Sequence, residues 1–330
     1  MDMRYFLLPT IVSVFLLAGI FIWLGFFAFV TALLLTVLEV TLSFDNAVVN
    51  ARVLEKMNKG WQRAFLTWGM VIAVFGTRLL LPILIVSASI WASPLVVAKL
   101  AAFNPQEYAH LLEQAKHSIY AFGAAFLLMV SLKYFFAASK ESHWIRSIES
   151  RLSGLGKIEA IEIGLVLITL LSFSYLVPNE RLSVLVGGIV GIVLFIFMQG
   201  LAGIFSRNIQ TATAGGLALF LYLNVLDSAF SLDSVVGAFA LTTAIPIIVV
   251  GLGIGAWFVR SLTIYFVEKK TLDTLIYLEH GAHWAIFGLA VSMFAGLVWE
   301  VPEIITGGIG LAFVSAAYWS SLRILKKPKA

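Results

Sequence analysis

Ten long apolar stretches run along the sequence, over residues 5–23, 26–51, 64–90, 117–136, 158–177, 182–204, 212–240, 244–267, 276–297 and 301–322. They constrain the fold more than any other feature, because a helix that crosses a bilayer needs about 20 mostly apolar residues. In hydrocarbon every backbone N–H and C=O must be satisfied within the protein, which leaves α-helices or closed barrels. Runs such as "VFLLAGIFIWLGFFAFV" lack the polar/apolar alternation of a barrel strand. The expectation is therefore an all-α protein, a polytopic membrane helix bundle of ten transmembrane helices. Composition agrees: 61% of residues are hydrophobic and 12% charged, against about 45–50% and about 25% in a soluble domain. The first run is too long for a signal-peptide core and lacks a small-residue cleavage site, so it reads as the first span.

The basic residues give an orientation. Of 22 Lys and Arg, seventeen fall on the side that holds both termini. Lys99, Lys116 and Arg181 fall on the opposite side, and Arg78 and Arg260 lie inside spans. The positive-inside rule then places both termini in the cytoplasm, with a bacterial inner or plasma membrane as the expected location. Basic loops beside spans are what topology demands, so they give no reason to expect a nucleic-acid partner. The absence of cysteine excludes disulfides, thiolate metal sites and cysteine nucleophiles. No covalent cofactor is expected, and any metal must be held by oxygen or histidine.

Two acidic stretches are copies of each other. "LEVTLSFDNAVV" from Leu38 aligns without gaps with "LDSAFSLDSVVG" from Leu226, pairing Glu39 with Asp227, Ser43 with Ser231, Asp45 with Asp233 and Asn46 with Ser234. Each is followed by an arginine in an apolar run, Arg78 in "VFGTRLLLP" and Arg260 in "AWFVRSLTI". Each is followed again by a helix with an E-x-x-E start, at Glu159 and Glu162 and at Glu300 and Glu303. These features fall on spans 2, 3 and 5 and on spans 7, 8 and 10, so the repeat unit is five helices. An odd number of spans inverts the second copy. The expected organisation is one membrane domain of two inverted repeats, residues 1–177 and 178–330, the build in which secondary transporters place their site between the halves. "KESHWIRSIESRLSGLGK" from Lys140 reads as an amphipathic cytoplasmic helix, and "AKLAAFNPQEYAHLLEQAKH" from Ala98 as its outer counterpart.

A carboxylate at the bilayer centre costs about 2.5–3.5 kcal/mol on insertion scales, and such acids usually line an ion or proton path. Six residues of helix separate the two acids of a motif by about 9 Å and about 120°, so on an unbroken helix they cannot meet one small ion. Ser and Asn favour caps and turns, which predicts local unwinding at Ser43–Asn46 and at Ser231–Ser234. The candidate metal ligands are Glu39, Asp45, Asn46, Asp227, Asp233 and Ser234, with Arg78 and Arg260 balancing the acids when no ion is bound. Hard oxygen donors suit Mn, Mg or Ca, and protonation of the same acids offers a route to proton-coupled exchange. The competing reading is that acids and arginines form buried salt bridges that only fix helix packing.

Weaker signals surround these. "EHGAH" sets Glu279, His280 and His283 at the start of span 9, as H-x-x-H metal ligands or as a tolerated polar helix end. Glu162 and Glu303 read as proton-relay groups, or as acids favoured at a helix start by the helix dipole. Lys133 is expected to snorkel, and "GGIVGIV" and "GLGIGAW" point to close helix packing. No phosphate loop or hydrolase nucleophile motif is present, and the chain is not expected to be an enzyme.

At the paired motifs the sequence resembles the TerC/Alx family of membrane proteins, whose hallmark is E-x-x-L-S-x-D-N in the first half and an S-x-D-S counterpart in the second. Here these are Glu39, Leu42, Ser43, Asp45 and Asn46, then Asp227, Ser231, Asp233 and Ser234. The resemblance implies ion contacts at Glu39, Asp45, Asn46, Asp227 and Asp233, and a link to tellurite resistance and to manganese or calcium export. The chain departs from the pattern with Asp at 227, Phe at 230 and the "EHGAH" segment. The expected function is efflux of a divalent cation, Mn first, by alternating access within the lipid bilayer. The alternatives are a membrane accessory or sensor protein that binds an ion without moving it, and an intramembrane metal hydrolase built on "EHGAH" with Glu162 or Glu303. The last has no H-E-x-x-H spacing to support it.

Overall fold

The computed structural model describes residues 4–90, 92–137, 142–207 and 212–325. Within these, some side chains, among them Asp233 and Glu303, lie outside the described set. Every described element is helical: α1 (Arg4–Leu24), α2 (Phe26–Leu42), α3 (Phe44–Leu54), α4 (Lys59–Val71), a π-helical segment (Ile72–Leu80), α5 (Leu81–Ser89), α6 (Pro94–Phe103), α7 (Pro105–Gln114), α8 (Lys116–Phe135), α9 (Arg146–Leu155), α10 (Ile161–Leu176), α11 (Arg181–Arg207), α12 (Ala212–Leu241), α13 (Ile245–Glu268), α14 (Thr271–Thr274), α15 (Leu278–Ala295) and α16 (Glu303–Leu325).

Each expected span coincides with one of these helices or with a contiguous run of them. Among the described residues six stretches are long and apolar enough to cross a membrane: Tyr5–Leu24, Lys59–Ala88, Lys116–Phe135, Pro178–Gly200, Ile245–Glu268 and Ile305–Leu325. The pair α2 and α3, bent by 51°, makes a seventh if it is one span, and Ile161–Leu176 and Gly216–Ser231 are shorter apolar helices. Large apolar side chains such as Phe15, Ile22 and Trp23 on α1 and Val190, Val193 and Phe197 on α11 lie exposed, the pattern of a protein whose outer solvent is hydrocarbon.

Local chemistry sets the element ends. Gly25, at φ 86°, supplies the left-handed turn between α1 and α2 that a side chain would resist. Asn58 caps α4 by accepting the Trp61 N–H at 3.0 Å, and Pro94 and Pro105 open α6 and α7, where a missing N–H costs nothing. The basic loop from Lys140 does carry a short helix, α9, and the stretch from Ala98 falls on α6 and α7.

The core sits around α8, whose residues from Ala124 to Leu132 are all buried, and α11, α12 and α15 pack against it. The two glycine-rich runs mark close helix approaches, as their spacing suggests. A Cβ on Gly187 would stand 2.4 Å from the Ser118 carbonyl oxygen, and one on Gly191 2.5 Å from that of Phe122, so α11 meets α8 backbone to backbone. Gly251 and Gly255 do the same for α13 against α2, where Thr36 Oγ1 also donates to the Gly251 carbonyl at 3.0 Å. This second approach carries Glu39 on α2 into the protein centre.

Candidate functional site

The first acidic motif breaks its helix. Ser43, at φ −101° and ψ 13°, leaves the helical conformation, so α2 ends at Leu42 and α3 restarts at Phe44. The Ser43 hydroxyl donates to Glu39 Oε1 at 2.9 Å. Asp45 falls in the first turn of α3, where the helix dipole favours a carboxylate, and its Oδ1 accepts the Asn46 N–H at 3.0 Å.

Glu39 is fully buried and receives Nη2 of Arg78, which is 2% exposed. Arg78 lies on the π-helical segment and is held from its own side, with Nη1 donating to the Ala73 carbonyl at 2.6 Å and to Thr77 Oγ1 at 3.4 Å. π-helical turns are rare and concentrate at functional positions.

The second motif builds a matching pair without a break. Arg260 Nη2 stands 3.3 Å from Asp227 Oδ2, both groups nearly buried. Arg260 Nη1 donates to the Phe65 carbonyl at 2.7 Å, and the guanidinium lies 4.2 Å from the centre of the Phe65 ring. Each arginine thus sits on the leading acid of its motif.

The unwinding expected at Ser231–Ser234 is absent, because α12 runs continuously from Ala212 to Leu241. Ser231 Oγ donates to the Asp227 carbonyl at 2.7 Å and Ser234 Oγ to that of Ser231 at 3.0 Å, so both hydroxyls are satisfied inside the helix. The Asp227 side chain is one methylene shorter than Glu39, and the serine four residues on turns to the backbone instead of the carboxylate. The unwinding by which the two acids of this motif were expected to come together therefore does not occur. The Asp233 side chain itself lies outside the described residues.

Among the described residues no three His, Asp or Glu side chains come together as metal ligands. "EHGAH" is dispersed in the same way. Glu279 pairs with Arg52 Nε at 2.9 Å, His280 Nδ1 faces Glu149 Oε2 at 2.7 Å, and His283 Nδ1 meets the Glu279 carbonyl at 2.8 Å while its ring stacks on Tyr134. Lys133 pairs with Glu162 at 2.9 Å, its side chain 48% exposed.

The motif helices and their arginines also hold buried polar atoms without partners. Ten buried side-chain N and O atoms among the described residues lack a hydrogen-bond partner, and seven belong to the motif helices and their arginines: Glu39 Oε2, Asn46 Oδ1 and Nδ2, Asn50 Oδ1, Arg78 Nε, Asn224 Oδ1 and Arg260 Nε. Buried polar groups are nearly always satisfied, and such exceptions need a reason. Asn50 and Asn224 were not singled out from the sequence, although Asn50 follows Asn46 by four residues and Asn224 precedes Asp227 by three, the spacings that share a helix face. Asp45 is 3% exposed, and no cation pairs with it among the described residues. A cavity of about 320 Å³ is lined by Val49, Arg52, Lys133, Tyr134, Tyr222 and Glu279 among others.

These features define a class: a polytopic helical membrane protein with two carboxylate–arginine pairs and a cluster of unsatisfied amides in its centre. The chain belongs to the family described as "Protein of unknown function (DUF475)", which matches residues 44–327. The matched span begins after Glu39 and contains Asp45, Asn46, both arginines and the whole second motif. Comparisons with curated proteins and with solved structures find no match.

Proposed function

We propose that this protein is a membrane transporter for a divalent cation, with Mn first and Ca or Mg as the other candidates, and that Asp45 and Asn46 form the heart of its ion path. The observation that carries the reading is Asp45, a buried carboxylate without a cationic partner among the described residues, beside amides whose oxygens are also unpaired. A cation entering there supplies the missing charge. Glu39 Oε2, Asn46 Oδ1 and Asn50 Oδ1 are the further oxygens on the same two helices, and oxygen-only donors suit hard ions. Arg78 and Arg260 hold the leading acids of the two motifs in the absence of cargo. On this reading the ten helical regions are ten spans in two inverted halves that alternate access, both termini are cytoplasmic, and the paired motifs reflect the TerC/Alx resemblance.

The test is Mn uptake by proteoliposomes of the purified protein. Wild type should show saturable flux, abolished in Asp45→Asn and reduced in Asp233→Asn and Glu39→Gln. Zero flux in wild type with saturable Mn binding would replace the reading by an ion sensor, and flux indifferent to Asp45→Asn would remove the site. The engagement of both leading acids by arginines favours the sensor reading to the extent that the pairs never open.

A further inference from the structure

At the end of the bundle where α9 meets α15, Ser142 and Glu149, seven residues apart, line up with His280, which lies 131 residues beyond Glu149. Glu149, fully buried, is held on both oxygens: Oε2 accepts the Trp144 N–H at 3.2 Å, and Oε1 accepts Trp284 Nε1–H at 3.0 Å and the Ile145 N–H at 3.4 Å. Oε2 also faces His280 Nδ1 at 2.7 Å. With the carboxylate as acceptor, Nδ1–H is the donor in this contact, the tautomer in which Nε2 can accept. Ser142 Oγ lies 3.0 Å from that Nε2. The ring is bracketed edge-on by Tyr134 and Tyr277, at centroid distances of 5.6 and 6.0 Å. Ser142 and His280 open on a cavity of about 420 Å³ whose other walls include Arg52, Tyr134, Asp273 and Glu279. A second imidazole, His143, approaches the same carboxylate at 3.7 Å.

We infer that Ser142, His280 and Glu149 form a serine-type acyl-hydrolase site, separate from the central acid–arginine pairs and independent of whether they move an ion. Nucleophile, base and orienting carboxylate stand in the relation that defines such sites by geometry and not by sequence order. The polar cavity fits a short acyl ester with a polar leaving group. Ser142 Oγ would bond to the ester carbonyl carbon as its proton passes to His280 Nε2 and the carbonyl π pair moves to oxygen. Collapse breaks the bond to the leaving alcohol, which takes the proton from His280. Water then repeats the sequence on the acyl-serine, releasing the acid and restoring the hydroxyl. Glu149 is the positioning residue that fixes the tautomer of His280.

The experiment treats the purified full-length protein in detergent with a fluorophosphonate probe, whose fluoride a reactive serine displaces, and with p-nitrophenyl acetate. The expected result is one adduct, located at Ser142 by mass spectrometry and absent in Ser142→Ala. His280→Gln should slow labelling by at least about a hundredfold, the scale of a general base, and ester hydrolysis should fall in parallel. Should His280→Gln or Glu149→Gln fail to fold, a Ser142→Cys variant serves, since the chain has no other cysteine. A thiol next to a base should react with iodoacetamide at least about tenfold faster than a cysteine placed at exposed Ser150. The inference is overturned if wild type labels no faster than Ser142→Ala, if folded His280→Gln labels as wild type does, or if the thiol at position 142 is unreactive. The three residues would then only tie α9 to α15.

Discussion

Removing Arg78 tests whether the central pairs are energetically coupled. The Arg78→Leu variant leaves the Glu39 carboxylate fully buried with the Ser43 hydroxyl as its remaining donor. Breaking a buried pair from one side costs about 3–5 kcal/mol, because the surviving charge is left uncompensated. At about 1.4 kcal/mol per tenfold, the folded-to-unfolded ratio should drop by about two to three and a half powers of ten. Glu39→Leu strands Arg78 in the same way, with only Ala73 O and Thr77 Oγ1 as acceptors. The double variant removes both charges, and replacing a buried ion pair by apolar side chains is often neutral or stabilising. The coupling energy of the cycle should therefore be at least about 3 kcal/mol, well above the roughly 0.5 kcal/mol within which independent sites add. SDS titration in mixed micelles, followed by far-UV circular dichroism, supplies the four free energies. If the double variant loses the sum of the two single losses, the pair is not a coupled unit and the electrostatic account of the site is wrong.

Three further outcomes follow from the same geometry. Gly255→Leu should cost about 1–3 kcal/mol by overpacking, since its Cβ would stand 2.5 Å from Glu39 Cβ; Gly253→Leu, whose nearest contact is 3.6 Å, is the matched control in thermal unfolding. Asn46→Leu removes two unpartnered buried atoms, so mixed-micelle stability should hold or rise by about 1 kcal/mol while Mn flux disappears; a destabilised variant with full flux would contradict both halves. Arg260→Lys keeps the charge but loses the fork that grips Asp227 and the Phe65 carbonyl together. Amide exchange should rise in α4 around Phe65 to Gly69, whereas Arg78→Lys should raise it only in the segment from Ala73 to Leu80.

The helices were legible because each lipid-facing stretch repeats one demand, apolar side chains over a bilayer's thickness, and α1 or α11 meets it without tertiary help. The involvement of Arg78 and Arg260 with the motif acids was legible for the opposite reason: a charge in such a stretch needs a partner, and these are the two arginines set inside spans, although which acid each would meet was not legible. The helix break was read correctly at Ser43 and incorrectly at Ser231, since the outcome turned on one methylene. Glu39 reaches the hydroxyl four residues on, whereas Ser231 finds the Asp227 carbonyl. Glu149 was missed because its partners lie 131 and 135 residues away, at His280 and Trp284, and no local pattern encodes that meeting. The same meeting explains why "EHGAH" does not act as one unit.

The anchoring of the two arginines bears on how a cargo ion gains access. Arg260, on α13, is clamped by the Phe65 carbonyl of α4, and α4 continues into the π-helical segment that carries Arg78. In return, α13 presents Gly255 to Glu39, the partner of Arg78. Each arginine-bearing element therefore touches the other pair: the rod of α4 and the π segment packs on α12, the helix of Asp227, while α13 packs on α2 and α3, the helices of Glu39 and Asp45. A cation that displaced one guanidinium would leave it buried with neutral acceptors alone, Ala73 O and Thr77 Oγ1 for Arg78 or Phe65 O for Arg260, an uncompensated charge of the costly kind. Because the same two elements frame both pairs, on the proposed transport reading that cost is relieved only by a rearrangement that moves both elements. The motion required is thus a joint displacement of α13 and the Arg78-bearing rod, and a change confined to either motif leaves one charge stranded.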